Sequence, residues 1–271
     1  MNNKETEIFV FYYKPVAFIP EYEEYTPVYV GKNSRPEIKN YTGDDTGLNI
    51  SAKNKYYSEL TGLYWVWKNK RPAIVGSCHY RRYFTIFNEP FIYMLKRLSY
   101  FFAGIQKKRH GLIYSSDIKF WKNKFITATE INQILSQYDA IMPVRRVLKY
   151  SVEQHYHRYH NSSDLLLIKN IITGYFPEYI PTFDKIMTGK RLFANNMFIM
   201  PWELFDKLMN WLFFILFKFE EKTNLNDFKG YQQRIFGFLS ERLITVWIEY
   251  NQIKTKELHL VYFKKFKTQN Q

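Results

Sequence analysis

Two adjacent arginines, Arg81 and Arg82, follow directly on an apolar run and the pair His79 and Tyr80. Two guanidinium groups beside an imidazole repel one another unless an anion or carboxylates neutralise them. Arginine side chains also bind phosphate oxygens in bidentate geometry. The segment therefore predicts a phosphate-binding site at the end of a strand. The alternative is a strand that emerges onto a solvated basic face.

A second candidate is the glycine-bearing loop of residues 43–51, which holds Asp44, Asp45, Thr46 and Asn49. Paired aspartates could hold a metal, a ribose diol or a sugar hydroxyl, and the glycines would let the backbone approach a ligand closely. A pair of Asx-type turns explains the same residues. A divalent metal such as Mn²⁺ or Mg²⁺ is disfavoured because the two acids are adjacent and lie in a loop, so no metal ligand is assigned.

Three histidines, His155, His157 and His160, lie close together in the sequence. A zinc site is disfavoured because no cysteine is near and the neighbouring acids lack a ligand spacing. On a helix, His157 and His160 would share a face while His155 would point elsewhere. The cluster predicts an exposed or substrate-facing polar helix.

A carboxylate lies near an arginine in the segment 231–242. Arg234, Gly237 and Glu241 are spaced i, i+3, i+7, so they can share one face of a helix. A carboxylate beside an arginine can act as the general base for an acceptor hydroxyl. A structural ion pair at the helix surface is the alternative, and the residues alone do not decide between the two.

Runs of apolar residues predict the elements that would position these groups. Short β-rich runs predict strands over residues 8–13, 73–76, 139–142 and 192–200. Helical periodicity and a capping-box pattern predict helices over residues 58–68, 127–138, 163–173, 202–221 and 231–250. Alternating strands and helices predict an α/β fold with a mainly parallel sheet flanked by helices. Ligands bind such sheets at the carboxyl ends of the strands.

The composition narrows the class of protein. The 271 residues carry a net charge of +14, so the expected partners are anionic. The single cysteine, Cys78, cannot form an intramolecular disulfide, which suits a reducing compartment. The first residues show no secretory signal, and the longest apolar run, 211–217, is far below the roughly 20 residues of a spanning helix. We expect one domain over residues 1–271, located in the cytoplasm or on the inner face of the membrane.

Residues from about 88 to 125 differ in composition from the rest of the chain and are predicted as an insertion within the domain. Between Phe91 and Lys124, eight basic residues stand against one acid and are interleaved with aromatic residues. Basic and aromatic residues together suit an anionic membrane surface, and the run 264–267 adds further lysines. The segment predicts peripheral contact with an anionic membrane, with a solvated loop as the alternative.

Five stretches form longer motifs: DDTGLNIS at 44–51, YSELTGLYWVWKN at 57–69, HYRRYF at 79–84, NMFIM at 196–200 and GFLSERL at 237–243. Through these motifs the chain resembles a bacterial family of capsular and exopolysaccharide biosynthesis glycosyltransferases, once catalogued only as a domain of unknown function. The resemblance implies a GT-A-like (Rossmann-like) fold and a transferase that uses a UDP-hexose donor such as UDP-galactose. One departure is Tyr13, where such proteins often carry His.

The residues and the resemblance together give a mechanism as a hypothesis. Arg81 and Arg82 would neutralise the leaving diphosphate, and Glu241 would deprotonate the acceptor hydroxyl. Donor-binding residues are predicted at Lys14, Asp44, Asp45, Thr46, Asn49, Glu59, His79 and Tyr80. Acceptor-binding residues are predicted at His155, His157, Asn196 and Arg234. The expected partners are a nucleotide-sugar donor and a growing cell-surface glycan or lipid-linked glycan acceptor.

Two other classes of protein fit parts of the composition. The charge and the aromatic content of 20% allow a nucleic-acid-binding protein, but no recognised nucleic-acid motif occurs and no nucleic-acid partner is expected. A non-catalytic polysaccharide-assembly protein is the third class. The glycine motifs of dinucleotide-binding and P-loop proteins do not occur in the sequence.

Overall fold

The computed structural model describes residues 5–16, 18–34, 41–93, 95 and 111–264, and most of its strands join one large sheet. The nine strands of this sheet are β1 (Thr6–Tyr12), β2 (Tyr25–Tyr29), β3 (Thr42–Gly43), β4 (Ile74–His79), β5 (Arg82–Thr85), β6 (Leu112–Ser115), β7 (Ala140–Pro143), β10 (Phe198–Pro201) and β11 (Thr255–Phe263). A separate two-stranded sheet pairs β8 (Arg146–Val147) with β9 (Arg191–Leu192).

The helices lie between these strands in the sequence. They are α1 (Asn54–Tyr57), α2 (Leu60–Asn69), α3 (Ile118–Trp121), α4 (Ala128–Leu135), α5 (Val152–His157), α6 (Ser162–Tyr175), α7 (Ile180–Thr188), α8 (Trp202–Glu221) and α9 (Ile235–Tyr250). Short 3₁₀ turns occur at Lys32–Ser34, Ser51–Lys53, Pro177–Tyr179, Leu225–Asp227 and Gly230–Arg234. The helices predicted over 163–173 and 202–221 are confirmed as α6 and α8.

The large sheet is mixed rather than mainly parallel. Strands β3, β2, β1 and β4 lie side by side and run parallel. Strand β10 lies antiparallel between β4 and β7, and β11 pairs antiparallel with β5 but parallel with β6 and β7. One reason is the length of a connection: His79 pairs with Arg82, which leaves two residues to join β4 to β5. So short a turn joins antiparallel strands, because a parallel pair needs a crossover connection.

Both faces of the sheet are buried. Along β1, Phe9 and Phe11 pack into one apolar cluster, and Ile8, Val10 and Tyr12 into another. Alternate residues of a strand point to opposite faces, so β1 must be covered on both sides. Helices α1, α2 and α5 to α9 contribute to the first cluster, and residues 113–131 contribute to the second.

The segment predicted as an insertion contributes to this second cluster. Strand β6 pairs with β11 in the large sheet, and Trp121 and Phe125 are almost fully buried. Strand β6 and the side chains of Trp121 and Phe125 are therefore part of the main fold. Residues 94 and 96–110 of the predicted insertion and 265–267 of the basic run lie outside the described residues. None of the helices in the described part of the chain has the length and apolar composition that a membrane crossing needs.

Candidate active site

A cavity of about 660 Å³ opens at the carboxyl ends of the parallel strands β1 and β4. Its walls come from these strand ends, from the turn between α1 and α2, and from β8, α5 and α9. Eight predicted site residues line it: Glu59, His79, Tyr80, Arg81, Arg82, His155, Arg234 and Glu241. The fold thus brings together candidate residues from four distant parts of the sequence.

The turn from β4 to β5 presents both arginines to the cavity. The guanidinium of Arg81 stacks over Tyr80 and Tyr262, with its carbon 5.0 and 5.5 Å from the ring centroids, and Arg82 lies 4.8 Å from the Tyr262 centroid. Arg81 Nη1 donates to the Lys264 carbonyl at 3.1 Å, and Arg82 Nε has no hydrogen-bond partner in the part of the chain that the structure describes. Within the described residues, neither arginine forms an ion pair with a carboxylate. Their charge is therefore available to an anion in the cavity.

Glu59 is the first of two carboxylates on the cavity wall. Asn196 Nδ2 donates to Glu59 Oε1 at 2.8 Å, and Arg234 Nη2 lies 3.5 Å from Glu59 Oε2. Burial acts to raise the pKa of Glu59, but the neighbouring His79 and Arg234 and the Asn196 amide outweigh it and lower the pKa. Glu59 is therefore ionised and held in place near His79.

Glu241 is the second carboxylate, and a single turn links it to His79. The Asn195 N–H donates to Glu241 Oε1 at 2.7 Å, and His79 Nε2 donates to the Asn195 carbonyl at 2.5 Å. Asn195 and Asn196 both have left-handed backbone conformations, with φ of 79° and 50°. Asparagine tolerates this region better than most residues. This turn interrupts the strand predicted over 192–200 and positions both carboxylates.

Two tyrosines stand at the end of β1 and β4. The Tyr80 hydroxyl donates to the Tyr13 hydroxyl at 3.0 Å, and the rings meet edge to face at 5.2 Å. Burial and this hydrogen bond raise the pKa of Tyr80. Burial acts to raise the pKa of Tyr13 as well, but the bond with Tyr80 and the charge of Arg81 lower it. The pair forms an aromatic surface beside Arg81.

A further set of basic residues lines the wall formed by β8, α5 and α9. It includes Arg242, whose side chain is 4% exposed, together with Arg146, His155 and His160. Burial and the charges of Arg242 and Arg146 lower the pKa of His155 to about 4. His155 is therefore neutral at pH 7.

Four further residues that line the cavity are not predicted as site residues from the sequence: Arg146, His160, Asn195 and Arg242. Arg242 belongs to the GFLSERL motif, but it lies among apolar residues on the buried side of α9. The prediction that His160 shares a helix face with His157 is wrong, because α5 ends at His157 and does not include His160. His155 and His160 line the cavity instead, and His157 is exposed with its Nε2 4.0 Å from Glu153 Oε1.

The loop predicted to bind the donor folds into a structural turn outside the cavity. The carboxylate of Asp44 is fully buried and accepts from the N–H groups of Gly31 and Lys32. Trp65 Nε1 donates to Thr46 Oγ1 at 3.0 Å. Asn49 Oδ1 accepts from the Ser51 N–H at 3.2 Å in an Asx turn, and Asn49 Nδ2 donates to the carbonyls of Asp45 and Gly47.

Three more predicted residues do not line the cavity. Asp45 lies with Oδ1 3.8 Å from Lys32 Nζ, and Lys14 is exposed with its Nζ 6.0 Å from the Tyr13 ring centroid. Asn196 is buried behind the wall, where it positions Glu59. No group of three or more His, Cys, Asp or Glu side chains suited to a metal ion occurs in the described ranges. The prediction of a metal-free site stays a prediction.

Comparison with known proteins places the chain in a family. Residues 7–252 match a family model described as a domain of unknown function, DUF4422. The chain belongs to this family. Among solved structures, one described as the apo form of the WbbM bifunctional glycosyltransferase is 27% identical in sequence and superposes with a TM-score of 0.83. The match covers 97% of this chain and 46% of the other, so this DUF4422 chain spans less than half of that protein. No curated protein matches the sequence.

Proposed function

We propose that this protein is a glycosyltransferase that moves a hexose, such as galactose, from a UDP-sugar to a growing cell-surface glycan in capsule, exopolysaccharide or lipopolysaccharide biosynthesis. The observation that carries the proposal is the pair Arg81 and Arg82, which face a cavity at the strand ends without a carboxylate partner among the described residues. The likeness to a structure described as a glycosyltransferase supports it. The parallel strands β1 to β4 support a GT-A-like fold.

Arg81 and Arg82 would bind the donor diphosphate and stabilise the charge that develops on it as the sugar leaves. Because the two guanidiniums supply this charge, we propose a reaction that needs no divalent metal. Tyr13 and Tyr80 would offer ring faces and hydroxyls to the nucleoside. Turnover that is lost in chelator and restored by Mn²⁺ would overturn the metal-free proposal.

Glu241 would act as the general base. In a single displacement the acceptor oxygen bonds to the anomeric carbon while the bond from that carbon to the diphosphate breaks. The bond electrons leave with the diphosphate, and Glu241 accepts the acceptor proton. The side chain of Glu241 is 20% exposed and that of Glu59 is 10% exposed, so Glu241 is the more accessible carboxylate.

The base is tested with Glu241→Gln, which can still accept from the Asn195 N–H. We expect kcat to fall about 10²- to 10⁴-fold while the Kd of the UDP-sugar stays nearly unchanged. Glu153→Gln on α5, outside the cavity, is the matched control and should turn over normally. Normal turnover of Glu241→Gln would exclude Glu241 as the base.

The transferase proposal is tested by thermal unfolding in the presence of UDP, UDP-galactose, UDP-glucose or an oligonucleotide. A UDP-sugar at about 100 times its Kd adds about 2.7 kcal/mol to the free energy of unfolding, which raises Tm by roughly 5 °C for a chain of this length. Replacing Arg81 and Arg82 together by Gln should abolish the shift. A shift with the oligonucleotide alone would favour a nucleic-acid-binding protein, and no shift with any UDP compound would contradict the proposal.

Exposed aromatic and lysine side chains in and near residues 112–125 support the proposal of contact with an anionic membrane. We define the basic–aromatic patch as Phe87, Phe91, Phe120, Lys119, Lys122 and Lys124. Its three phenylalanines are 44%, 66% and 40% exposed, and Lys124 Nζ lies 3.1 Å from the Phe120 ring centroid and 6.0 Å from that of Phe87. Exposed aromatic rings beside lysines suit the headgroup region of acidic lipid. The protein would then act on the inner face of the membrane.

A further inference from the structure

The cavity holds two groups of cations on different walls. The first cationic cluster is Arg81 and Arg82, at the turn between β4 and β5. The second cationic cluster is Arg146 on β8 and Arg242 on α9, beside His155. The charge of Glu241 acts on both Arg82 and Arg242, so this carboxylate lies near a member of each cluster.

Arg242 is a buried cation with incomplete pairing. Its side chain is 4% exposed, and its Nη1 donates to the Phe238 carbonyl at 2.7 Å. The carboxylate of Glu241 lies 3.6 Å away and already accepts from a backbone N–H. Arg242 Nε has no hydrogen-bond partner among the described residues. A buried guanidinium in this state costs free energy that an added anion would recover.

The neighbours of Arg242 add positive charge. Arg146 lines the same wall, and Glu59 and Glu241 form their ion pairs with Arg234 and Arg242 instead. His155 is kept neutral, and its Nδ1 accepts from Arg242 Nη2 at a long 3.5 Å. Within the described part of the protein, the second cationic cluster therefore has one carboxylate, Glu241, for two guanidinium groups.

The net charge of the whole cavity is also consistent with a second anion. Its lining includes six cations and two carboxylates: Lys55, Arg81, Arg82, Arg146, Arg234, Arg242, Glu59 and Glu241. A nucleotide-sugar diphosphate brings about two negative charges, which leaves a surplus of about two positive charges. If the diphosphate neutralises the first cationic cluster, and Glu59 and Glu241 neutralise Arg234 and Arg242, the surplus consists of Arg146 in the second cationic cluster and Lys55.

We propose that the second cationic cluster is an oxyanion subsite for the acceptor, so that the sugar is transferred to an acceptor that carries a phosphate or a carboxylate. This inference rests on the proposed transferase function. It places the anion of the acceptor beside Arg146 and Arg242, and the accepting hydroxyl near Glu241. Arg146, which is half-buried on a short strand, is a positioning residue for that acceptor.

Calorimetry on the full chain saturated with UDP tests the subsite. The probes are phenyl phosphate, methyl glucuronide and neutral methyl galactoside. We expect one or both anions to bind, and the tighter of the two identifies the acceptor group as phosphate or carboxylate. Arg146→Gln should weaken anion binding about tenfold or more but change the Kd of UDP less than about twofold. Arg81→Gln should weaken UDP binding about tenfold or more but change the Kd of the anion less than about twofold.

Two further measurements separate a binding role from a structural one. Arg158→Gln is the matched control, because Arg158 is exposed, stacks on Tyr150 at 4.1 Å and lies outside the cavity. It should leave anion binding unchanged. In NMR titrations, a bound oxyanion should raise the pKa of His155 from about 4, and Arg146→Gln should raise it in the free protein.

Three outcomes would overturn the inference. UDP-saturated protein that binds neither anion would show that the acceptor subsite is not anionic. An equal loss of UDP and anion binding in Arg146→Gln would place the donor phosphate on the second cationic cluster. Protein that does not bind UDP at all would refute the transferase proposal and, with it, this inference.

Discussion

The carboxylate of Asp44 organises the loop that precedes α1. Its Oδ2 accepts from the Gly31 N–H at 3.0 Å and from the Thr61 hydroxyl at 2.6 Å. Its Oδ1 accepts from the Lys32 N–H at 3.2 Å and from the Ser51 hydroxyl. All four partners are donors, so the site requires an acceptor at both oxygens. Asp44 therefore supports the wall of the cavity from behind rather than binding a ligand.

Asp44→Asn should strongly destabilise the fold. In either orientation the new NH₂ group faces a backbone N–H, so one buried donor loses its acceptor. We expect the free energy of unfolding to fall by about 2–4 kcal/mol, measured by urea denaturation. Asp45→Asn is the matched control: it removes a partly exposed ion pair with Lys32 and should cost less than about 1 kcal/mol. Equal losses in the two variants would contradict this role of Asp44.

Single residues show how far the sequence predicts the candidate site. The adjacent cations Arg81 and Arg82 indicate where the cavity lies. Two neighbouring positive charges at the end of a core strand need an anion or carboxylates to neutralise them. The loop of Asp44 and Asn49 is not assigned by its residue types, since the same side chains can bind a ligand or close a turn. The role of Arg242 is not predictable from the sequence, because its burial and its partners are set by tertiary contacts.

At the scale of elements, Gly62 sets the contact of α2 with β1. A Cβ on Gly62 would lie 2.4 Å from Phe11 Cε1 and 2.7 Å from Val30 Cγ1, so the helix and the sheet approach too closely for a methyl group. The strand ends at the cavity are positioned by this contact, because Phe11 and Val30 also line it.

Gly62→Ala should destabilise the protein by about 1–3 kcal/mol because Phe11 and Val30 must shift in a packed core. Gly174→Ala is the matched control. Gly174 lies near the end of α6, where an added methyl group would meet no described atom within 4 Å, so the change should stabilise by up to about 1 kcal/mol. Urea denaturation of both variants measures the difference. A stable Gly62→Ala variant would show that the helix can move away from the sheet.

The long helices and the core strands are predictable from apolar spacing, and α8 begins and ends where the sequence indicates. Other elements depend on partners that the sequence does not reveal. Strand β11 carries Lys256, Glu257 and His259 among its apolar residues, yet it is held between β5, β6 and β7. Strand β3 is two residues long and exists only through its pairing with β2. Tertiary context decides such strands.

At the scale of the whole molecule, a net charge of +14 makes binding to acidic lipid sensitive to where the charges lie. If the basic–aromatic patch contacts the membrane, replacing Lys119 and Lys122 by Gln should reduce sedimentation with phosphatidylserine liposomes. Each lysine near the surface contributes about 1 kcal/mol, so the partition coefficient should fall roughly tenfold or more.

The matched control replaces Lys222 and Lys229 by Gln, since both are exposed at least in part and lie outside the patch. This variant has the same net charge and should bind nearly as well as the wild type. An equal loss in the two variants would indicate attraction by overall charge alone. Liposomes of neutral phosphatidylcholine should bind little of either protein.

The turn at Asn195 and Asn196 has a consequence for the biosynthesis of the protein. It ties Glu59 and His79, from the first third of the chain, to Glu241, near its end. A nascent chain that leaves the ribosome from its N-terminus therefore exposes the arginines that follow β4 long before Glu241 and its supporting turn can assemble. Until α9 has emerged, the growing polypeptide lacks the cavity wall that carries Glu241, so under the proposed function unfinished chains would not consume nucleotide-sugar.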